Sequence, residues 1–249
     1  VSSYPGTPST EITENMAKYD EVFCEWAPNE KVATEVAIGA AVAGARAMCC
    51  MKHVGLNVAA DPLFTVAYTG VNGGLVIVVA DDPGMHSSQN EQDSRYYALS
   101  AHVPMLEPSD AQECKDFTKM AFEISEKYDT PVILRLTTRI AHARSLAELS
   151  ERIPQEKKPY KKDTMKYVMM PGMAKKRHVF VDARTASLRE FSEDLNSGIN
   201  TVEYNSKKLG IITSGISYQY HAAGVDRGGN EFQMLGDRGY QDLSFPHRT

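Results

Sequence analysis

The segment that most constrains the fold is Leu75 to Ala80, an unbroken run of Leu, Val, Ile and Ala. A strand with one solvent-facing side alternates apolar and polar residues, so this run predicts a strand covered on both faces. A second buried strand is predicted over residues 131–136. Helical segments lie between the strands, and this alternation predicts an α/β fold with a parallel, doubly wound sheet.

The clearest helix is predicted from Asn29 to about Met51. Asn29 caps it, Glu30 lies in its first turn and Arg46 near its end, so the charges complement the helix dipole. Its many Ala and Gly residues let other backbones approach closely, which predicts a buried helix. Periodicity predicts further helices at residues 61–69, 109–127 and 175–196, and further strands at 103–106 and 209–213.

Composition divides the chain and excludes several functions. Residues 151–166 are rich in Lys, Glu and Pro and predict a surface linker, beyond which a second α/β unit begins. From Gly224 onward the apolar periodicity ends. The chain has 27 basic and 32 acidic residues and a net charge of −5, which gives it no general attraction to nucleic acid or to an anionic membrane.

Cellular location and metal binding are also predicted from composition. The longest apolar run is far shorter than the roughly 20 residues of a membrane helix, and no secretory signal is visible. Four scattered cysteines predict reduced thiols in a cytoplasmic protein, and no histidine lies at metal-ligand spacing from them. No metal site is predicted in this chain.

Three segments carry candidate chemistry, and each has a simpler alternative. The turn containing Thr7 holds hydroxyl groups that can bond a carboxylate or ketone, or it is only a capped loop. Glu30 is either a partner of the helix dipole or a desolvated carboxylate with a raised pKa. The polar stretch 86–95 follows a buried strand, where ligands bind in open parallel sheets, or it is a solvated loop.

Together these segments resemble one family. The strings Tyr-Pro-Gly-Thr-Pro-Ser-Thr-Glu-Ile at residues 4–12, Asn-Glu-Lys-Val-Ala at 29–33, Gly-Ala-Arg-Ala at 44–47 and Ser-Ser-Gln-Asn-Glu-Gln-Asp-Ser-Arg at 87–95 are similar to the large (alpha) subunit of indolepyruvate:ferredoxin oxidoreductase. That enzyme is a thiamine-diphosphate-dependent 2-oxoacid:acceptor oxidoreductase. The resemblance extends from residue 1 to about 220.

The resemblance implies a domain plan. Residues 1–145 resemble the pyrimidine-binding domain of thiamine-diphosphate enzymes, and 146–165 form a linker. Residues 166–223 resemble an incomplete transketolase C-terminal-like α/β domain, and 224–249 form an irregular tail. The plan lacks a diphosphate- and Mg²⁺-binding domain and the cysteine runs that bind iron–sulfur clusters, so both are expected in the complete enzyme and not in this chain.

The resemblance also implies roles for individual residues. Glu30 corresponds to the glutamate that bonds N1′ of the cofactor's aminopyrimidine, where a carboxylate favours the imino tautomer and makes the cofactor's own 4′-nitrogen the base. Thr7 and Arg95 correspond to substrate-side residues. The remaining cofactor-binding residues are expected in the loop, at Ser88, Gln89 and Asn90.

The implied activity is oxidative decarboxylation of aryl 2-oxoacids, with coenzyme A accepting the acyl group and ferredoxin the electrons. A homodimer, an assembly with a smaller second subunit, or both are expected, because the cofactor lies between two domains that often come from different chains. Two alternatives stay open. One is a non-catalytic α/β fragment or interaction module, and the other is a related oxidoreductase for pyruvate or branched-chain 2-oxoacids.

Overall fold

The computed structural model describes residues 1–204, 210–228 and 233–236. Six strands of this part of the chain form a sheet in which every pair is parallel. In chain order they are β1 (Ser2–Ser3), β2 (Glu25–Trp26), β3 (Ala47–Lys52), β4 (Leu75–Asp81), β5 (Met105–Leu106) and β6 (Val132–Thr137). Their order across the sheet is β2-β1-β3-β4-β6-β5, so the predicted doubly wound parallel sheet is confirmed.

Helices cover both faces of this sheet. In chain order they are α1 (Thr10–Met16), α2 (Glu30–Val42), α3 (His53–Val58), α4 (Ala60–Thr69), α5 (Arg95–Ala101), α6 (Ala111–Tyr128), α7 (Thr138–His142), α8 (Thr164–Tyr167), α9 (Pro171–Glu193) and α10 (Ile216–Gly228). The helices and strands predicted from periodicity after residue 60 are found within a few residues of their expected ends.

Strand β4 lies at the centre of the core, as its sequence predicts. All seven of its residues are buried. Leu75 and Ile77 point to the face that α2 to α5 cover, whereas Val76 and Val78 point to the face that α6 covers. Each fully buried aliphatic side chain of this kind contributes about 1.5–3 kcal/mol to folding, so β4 anchors both layers.

The predicted helix from Asn29 to Met51 is wrong in its second half. Helix α2 ends at Val42, Gly44 turns the chain with a φ of 95°, and β3 follows. An added Cβ at Gly44 would lie 1.9 Å from the carbonyl oxygen of Lys158, so only glycine fits this turn. Residues Ala47 to Met51 are buried between β1 and β4, and pairing with these strands makes them a strand although their residue types also suit a helix.

Helix α2 is also less enclosed than its composition suggested. Ala33, Ala37 and Ala41 are buried against the sheet, whereas Glu35 and Val36 are exposed. The small residues therefore form one close-packed face and not a helix buried on all sides.

Helix α9 lies in the segment assigned to the second domain, yet it packs on the first sheet. Leu188 joins the core formed by β4, β6 and α6. The buried guanidinium of Arg184 donates from Nη1 to the carbonyl of Asp129 and from Nη2 to that of Ala67, both at 2.8 Å. Residues 143–163 before it contain no helix or strand. The separate domain at 166–223 stays a prediction.

A second, three-stranded sheet lies beyond α9. It consists of β7 (Thr201–Glu203), β8 (Gly210–Thr213) and β9 (Gln233–Gly236), with β9 in the middle. Gln219 of α10 donates to the Ser109 hydroxyl at 3.0 Å, which ties this unit to the start of α6. The segment 224–249 was expected to be irregular, but it contains the end of α10 and all of β9. Residues 229–232 and 237–249 lie outside the described residues.

Candidate active site

The candidate residues lie where the central strands end. Strands β1, β3, β4 and β6 are parallel, so the residues that follow Ser3, Lys52, Asp81 and Thr137 meet at one edge of the sheet. Loops at this carboxyl edge are the usual ligand-binding position in open α/β sheets. The turn with Thr7, the start of α3 and the loop 82–94 all belong to it.

Glu30 is held at the first turn of α2. The Asn29 side chain caps the helix by accepting a hydrogen bond from the Val32 N–H at 2.9 Å. The half-buried Glu30 carboxylate lies against Gly55 of α3, where an added Cβ would come within 2.5 Å of Glu30 Oε1. Among the described residues, nothing donates a hydrogen bond to this carboxylate or forms an ion pair with it. Glu30 therefore offers a free acceptor at the carboxyl edge.

The turn that carries Thr7 is rigid and lies beside β3. The Gly6 carbonyl accepts bonds from the Ser9 N–H at 2.8 Å and the Ser9 hydroxyl at 2.7 Å, and the Thr10 hydroxyl accepts one from the Gly6 N–H. The Thr7–Pro8 peptide bond is cis, and Thr7 is exposed. An added Cβ at Gly6 would lie 3.1 Å from Lys52 Cδ, so the turn rests on the end of β3.

The conformation of the loop 82–94 is fixed by hydrogen bonds to Asp82, a buried carboxylate at the end of β4. Its oxygens accept bonds from the His86 and Ser87 N–H groups at 3.2 and 2.8 Å. They also accept the hydroxyls of Ser88 at 2.7 Å and Thr138 at 2.8 Å. Burial alone would raise the pKa of Asp82, but the bonds from Ser87, Ser88, Thr138 and His86 hold it below its usual range. Asp82 is therefore ionised and fixes the loop.

Lys52 and His53 join this loop to the other two segments. Lys52 Nζ donates to the Ser87 carbonyl at 3.0 Å, and the buried His53 ring has Nε2 3.0 Å from the Asn90 carbonyl. Gly55, two residues later, supports Glu30. None of these three residues is predicted from the sequence, because the preceding β3 has the sequence character of a helix and a helix predicts no strand end there.

The three loop residues predicted to bind the cofactor differ in their surroundings. The Ser88 hydroxyl points inward to Asp82. Asn90 is exposed, and its side-chain oxygen accepts a bond from Gln92 at 2.8 Å. Gln89 is exposed, and no side-chain hydrogen bond of Gln89 occurs within the described residues. Their cofactor-binding roles stay predictions.

Arg95 lies in an ion-pair network that the sequence does not predict. Its Nε and Nη2 donate to the two oxygens of Glu107 at 2.7 and 3.1 Å, and Nη1 donates to Asp93 at 3.1 Å. Arg135 continues the network to Glu107 at 2.6 Å and to Asp81 at 2.8 Å. Burial alone would raise the pKa of Glu107, but Arg135 and Arg95 hold it below its usual range. To contact a substrate as predicted, Arg95 would have to release Glu107 or Asp93 and bind the substrate in its place.

An apolar groove is a second candidate for a binding site. Its volume is about 730 Å³, and its lining is mainly apolar, with Phe122 and Leu134 among the lining residues. Thr7, Glu30 and Arg95 do not line it. We therefore place the candidate site at the carboxyl edge of the sheet, where the polar groups converge, and not in the apolar groove.

Three of the four cysteines are unsuited to act as nucleophiles. All four are free. Burial raises the pKa of Cys49 to about 12 and that of Cys50 to about 11. Burial, with the nearby Asp110 and Glu113, raises the pKa of Cys114 to about 12. A thiol must ionise to act as a nucleophile, so these three are unreactive near neutral pH.

Comparison with known proteins identifies the family. Residues 1–208 match the family described as pyruvate flavodoxin/ferredoxin oxidoreductase, thiamine diphosphate-binding. The chain belongs to this family. It is 50% identical over 230 residues to indolepyruvate oxidoreductase subunit IorA of Pyrococcus horikoshii, covering 88% of this chain and 35% of that protein. It is 43% identical to the subunit of the same name from Methanothermobacter thermautotrophicus over 240 residues, covering 94% and 38%.

Solved structures show the same fold. The 2-oxoglutarate:ferredoxin oxidoreductase from Magnetococcus marinus matches with a TM-score of 0.71 at 16% identity, covering 95% of this chain and 50% of that one. The chain thus spans little more than a third of its curated relatives and half of this structural neighbour. In the part of the chain that the structure describes, no helix is long and apolar enough to cross a membrane.

Proposed function

We propose that this chain supplies the pyrimidine-binding part of an indolepyruvate-type 2-oxoacid:ferredoxin oxidoreductase. The observation that carries this proposal is the Glu30 carboxylate, which is half-buried, unpaired among the described residues and held at the carboxyl edge against Gly55. Family membership supports thiamine diphosphate as the cofactor. An unpaired carboxylate beside a glycine fits the edge of an aminopyrimidine ring, because it offers an acceptor and leaves room for the ring.

In this proposal Glu30 holds and exchanges a proton at N1′ of the pyrimidine. When bound, thiamine diphosphate supplies the carbon nucleophile that adds to the 2-oxo group and retains the electrons left by decarboxylation. Glu30 is suited to proton exchange, because no ion pair within the described residues fixes its charge. Positioned proton transfer of this kind contributes about 10²–10⁴-fold to rate.

The other segments position the reactants. Thr7 presents a hydroxyl on a rigid turn, where it can donate to the substrate's carboxylate or ketone. Gln89 and Asn90 project from a loop that Asp82 fixes from beneath, so they can contact the cofactor without reordering the backbone. Arg95 is the proposed substrate contact, and to make it Arg95 would exchange Asp93 or Glu107 for the substrate carboxylate.

The complete enzyme needs parts beyond this chain. We assign the diphosphate and Mg²⁺ to another domain, and the iron–sulfur clusters to cysteine-rich segments elsewhere in the assembly. Coenzyme A and ferredoxin are the proposed acceptors of the acyl group and the electrons. The proposed setting is the cytoplasm, and the proposed assembly contains a second copy of this chain, a smaller subunit or both. The proposed domain plan keeps residues 1–145 as the pyrimidine-binding part.

The test is activity of the assembled enzyme that contains this chain. Indolepyruvate, with coenzyme A and ferredoxin, is expected to give CO₂ and reduced ferredoxin only when thiamine diphosphate is present. Glu30→Gln is expected to lower kcat about 10²–10⁴-fold. Glu35→Gln, on an exposed face of the same helix, is the matched control and is expected to retain activity.

The outcomes separate the alternatives. A preference for pyruvate or a branched-chain 2-oxoacid would reassign the substrate and keep the cofactor chemistry. Full activity of the Glu30→Gln variant would remove Glu30 from the mechanism. Failure of the assembly to bind thiamine diphosphate would favour the interaction-module alternative.

A further inference from the structure

A polar cavity between the first sheet and the start of α10 shares one lining residue, Arg95, with the proposed function. Its volume is about 220 Å³. It is smaller than the roughly 300–1,000 Å³ of pockets that enclose a drug-sized ligand, so it suits a single functional group with a few attached atoms. Its lining includes three arginines and the segment from Ser214 to Ser217.

The arginines of this cavity are not equivalent. Arg95 and Arg135 use their N–H groups on Asp81, Asp93 and Glu107, as described above. Arg139 also lines the cavity, yet the described residues provide it with neither a hydrogen bond nor an ion pair. The two paired arginines and their three carboxylates form a fixed wall, and Arg139 adds a third positive charge that has no ion pair among the described residues.

Two further groups of donors face the same space. The Thr137 hydroxyl oxygen is buried and has no hydrogen-bond partner among the described residues. A buried polar atom without a partner is costly, which points to a partner that the protein itself does not supply. The first turn of α10 also lines the cavity, and the leading N–H groups of this 13-residue helix have no acceptor within the helix.

We propose that this cavity is a binding site for an oxyanion, either the carboxylate of an organic acid or the phosphate of a phosphate ester. Arg139 supplies the charge, Thr137 donates its hydroxyl, and the N–H groups at Ile216 and Ser217 complete the cradle. The site is distinct from Glu30, and its occupation requires no thiamine diphosphate. Because its lining comes from the first sheet and from the segment that follows β8, a bound anion also joins the two units.

The experiment uses the full chain without cofactor, titrated separately with inorganic phosphate and with phenylpyruvate. Binding is measured from the amide resonances of residues 214–217 and the Arg139 Nε–H resonance. Saturable shifts are expected for at least one ligand, and the tighter ligand identifies the source of the oxyanion. Arg139→Gln is expected to weaken binding about tenfold, as for a charge-assisted bond partly exposed to water. Arg144→Gln removes an exposed arginine outside the cavity and is expected to leave binding unchanged.

Thr137→Val provides a second variant that cannot act by unfolding the chain. The wild-type hydroxyl has no partner among the described residues, so its removal is expected to leave the thermal midpoint unchanged or higher, yet to weaken anion binding several-fold. No saturable shift with either ligand would overturn the proposal. So would equal affinity of the Arg139→Gln variant and the wild type, or equal losses in the Arg139→Gln and Arg144→Gln variants. None of these outcomes bears on Glu30.

Discussion

Asp82→Asn tests whether a single buried carboxylate shapes the loop at the candidate site. Asp82 accepts four hydrogen bonds, two on each oxygen. An asparagine keeps one oxygen and replaces the other with an NH₂ group that cannot accept. If the amide oxygen stays toward Ser87 and Ser88, the Thr138 hydroxyl can rotate to accept from the NH₂ group, but the His86 N–H loses its acceptor.

The expected cost is about 2 kcal/mol in the free energy of unfolding. Hydrogen bonds to a charged group contribute about 1.5–3 kcal/mol each. We take the lower part of that range, because the loop covering Asp82 is itself exposed to water. For a chain of this size the loss corresponds to a fall of roughly 4–8 °C in thermal midpoint. Asp20→Asn, at an exposed aspartate, is the control and is expected to change stability by less than about 0.5 kcal/mol.

The assays are urea denaturation and amide hydrogen exchange. In the Asp82→Asn variant the His86 amide is expected to lose protection, while amides in β4 keep theirs. The folded-state pKa of Asp82 is lowered, so its contribution to stability is fully present above the unfolded pKa of about 3.9 and declines as pH falls below that value. The difference between wild type and variant should therefore be constant from pH 7 to 5. A variant as stable as Asp20→Asn, with unchanged exchange at His86, would refute this account of the loop.

Two other substitutions probe the site's supports. Glu107→Gln leaves two guanidinium groups facing an amide and is expected to lower the free energy of unfolding, measured by urea denaturation, by about 3 kcal/mol. The control Glu123→Gln, at an exposed position, should lower it by less than about 0.5 kcal/mol. Equal stability of the two variants would contradict the ion-pair network. In Gly55→Ala the three atoms nearest the added Cβ all belong to the Glu30 side chain, so the carboxylate is pushed aside and the assembled enzyme should lose about 10–100-fold in kcat. Gly39→Ala, with nothing within 4 Å of the added Cβ, should keep full activity. An equally active Gly55→Ala variant would contradict the placement of Glu30.

The sequence predicts the core of the fold because burial leaves a direct pattern. The unbroken apolar run of β4 and the apolar periodicity of α9 are local properties, and both elements were found. Strand β3 is not predicted from the sequence, because Ala47 to Met51 have side chains compatible with a helix. Only pairing with β1 and β4 makes these residues a strand. The packing of α9 on the first sheet through Arg184 likewise depends on contacts far apart in the chain.

The candidate site, too, is predicted where local sequence patterns carry it and missed where it depends on contacts between distant residues. Resemblance to the family indicated Glu30, Thr7 and the loop, since their residue types recur in short strings. The residues that connect them, Lys52 and His53, were not foreseen, because their contacts are with backbone carbonyls that no side-chain pattern reveals. The partner of Arg95 was also missed. Glu107 lies beyond a helix and is brought to Arg95 only by the pairing of β5 with β6.

The central claim is that Glu30 exchanges a proton with the cofactor's pyrimidine. The most direct measurement is the rate at which the C2 proton of bound thiamine diphosphate exchanges for deuterium in the assembled enzyme, compared between wild type and Glu30→Gln. The side chains are nearly isosteric, so folding should be retained, but an amide cannot exchange a proton with N1′. We expect the variant to exchange about 10²–10⁴-fold more slowly with the cofactor still bound. An unchanged exchange rate in the cofactor-loaded variant would contradict the account and leave Glu30 as a helix-start carboxylate.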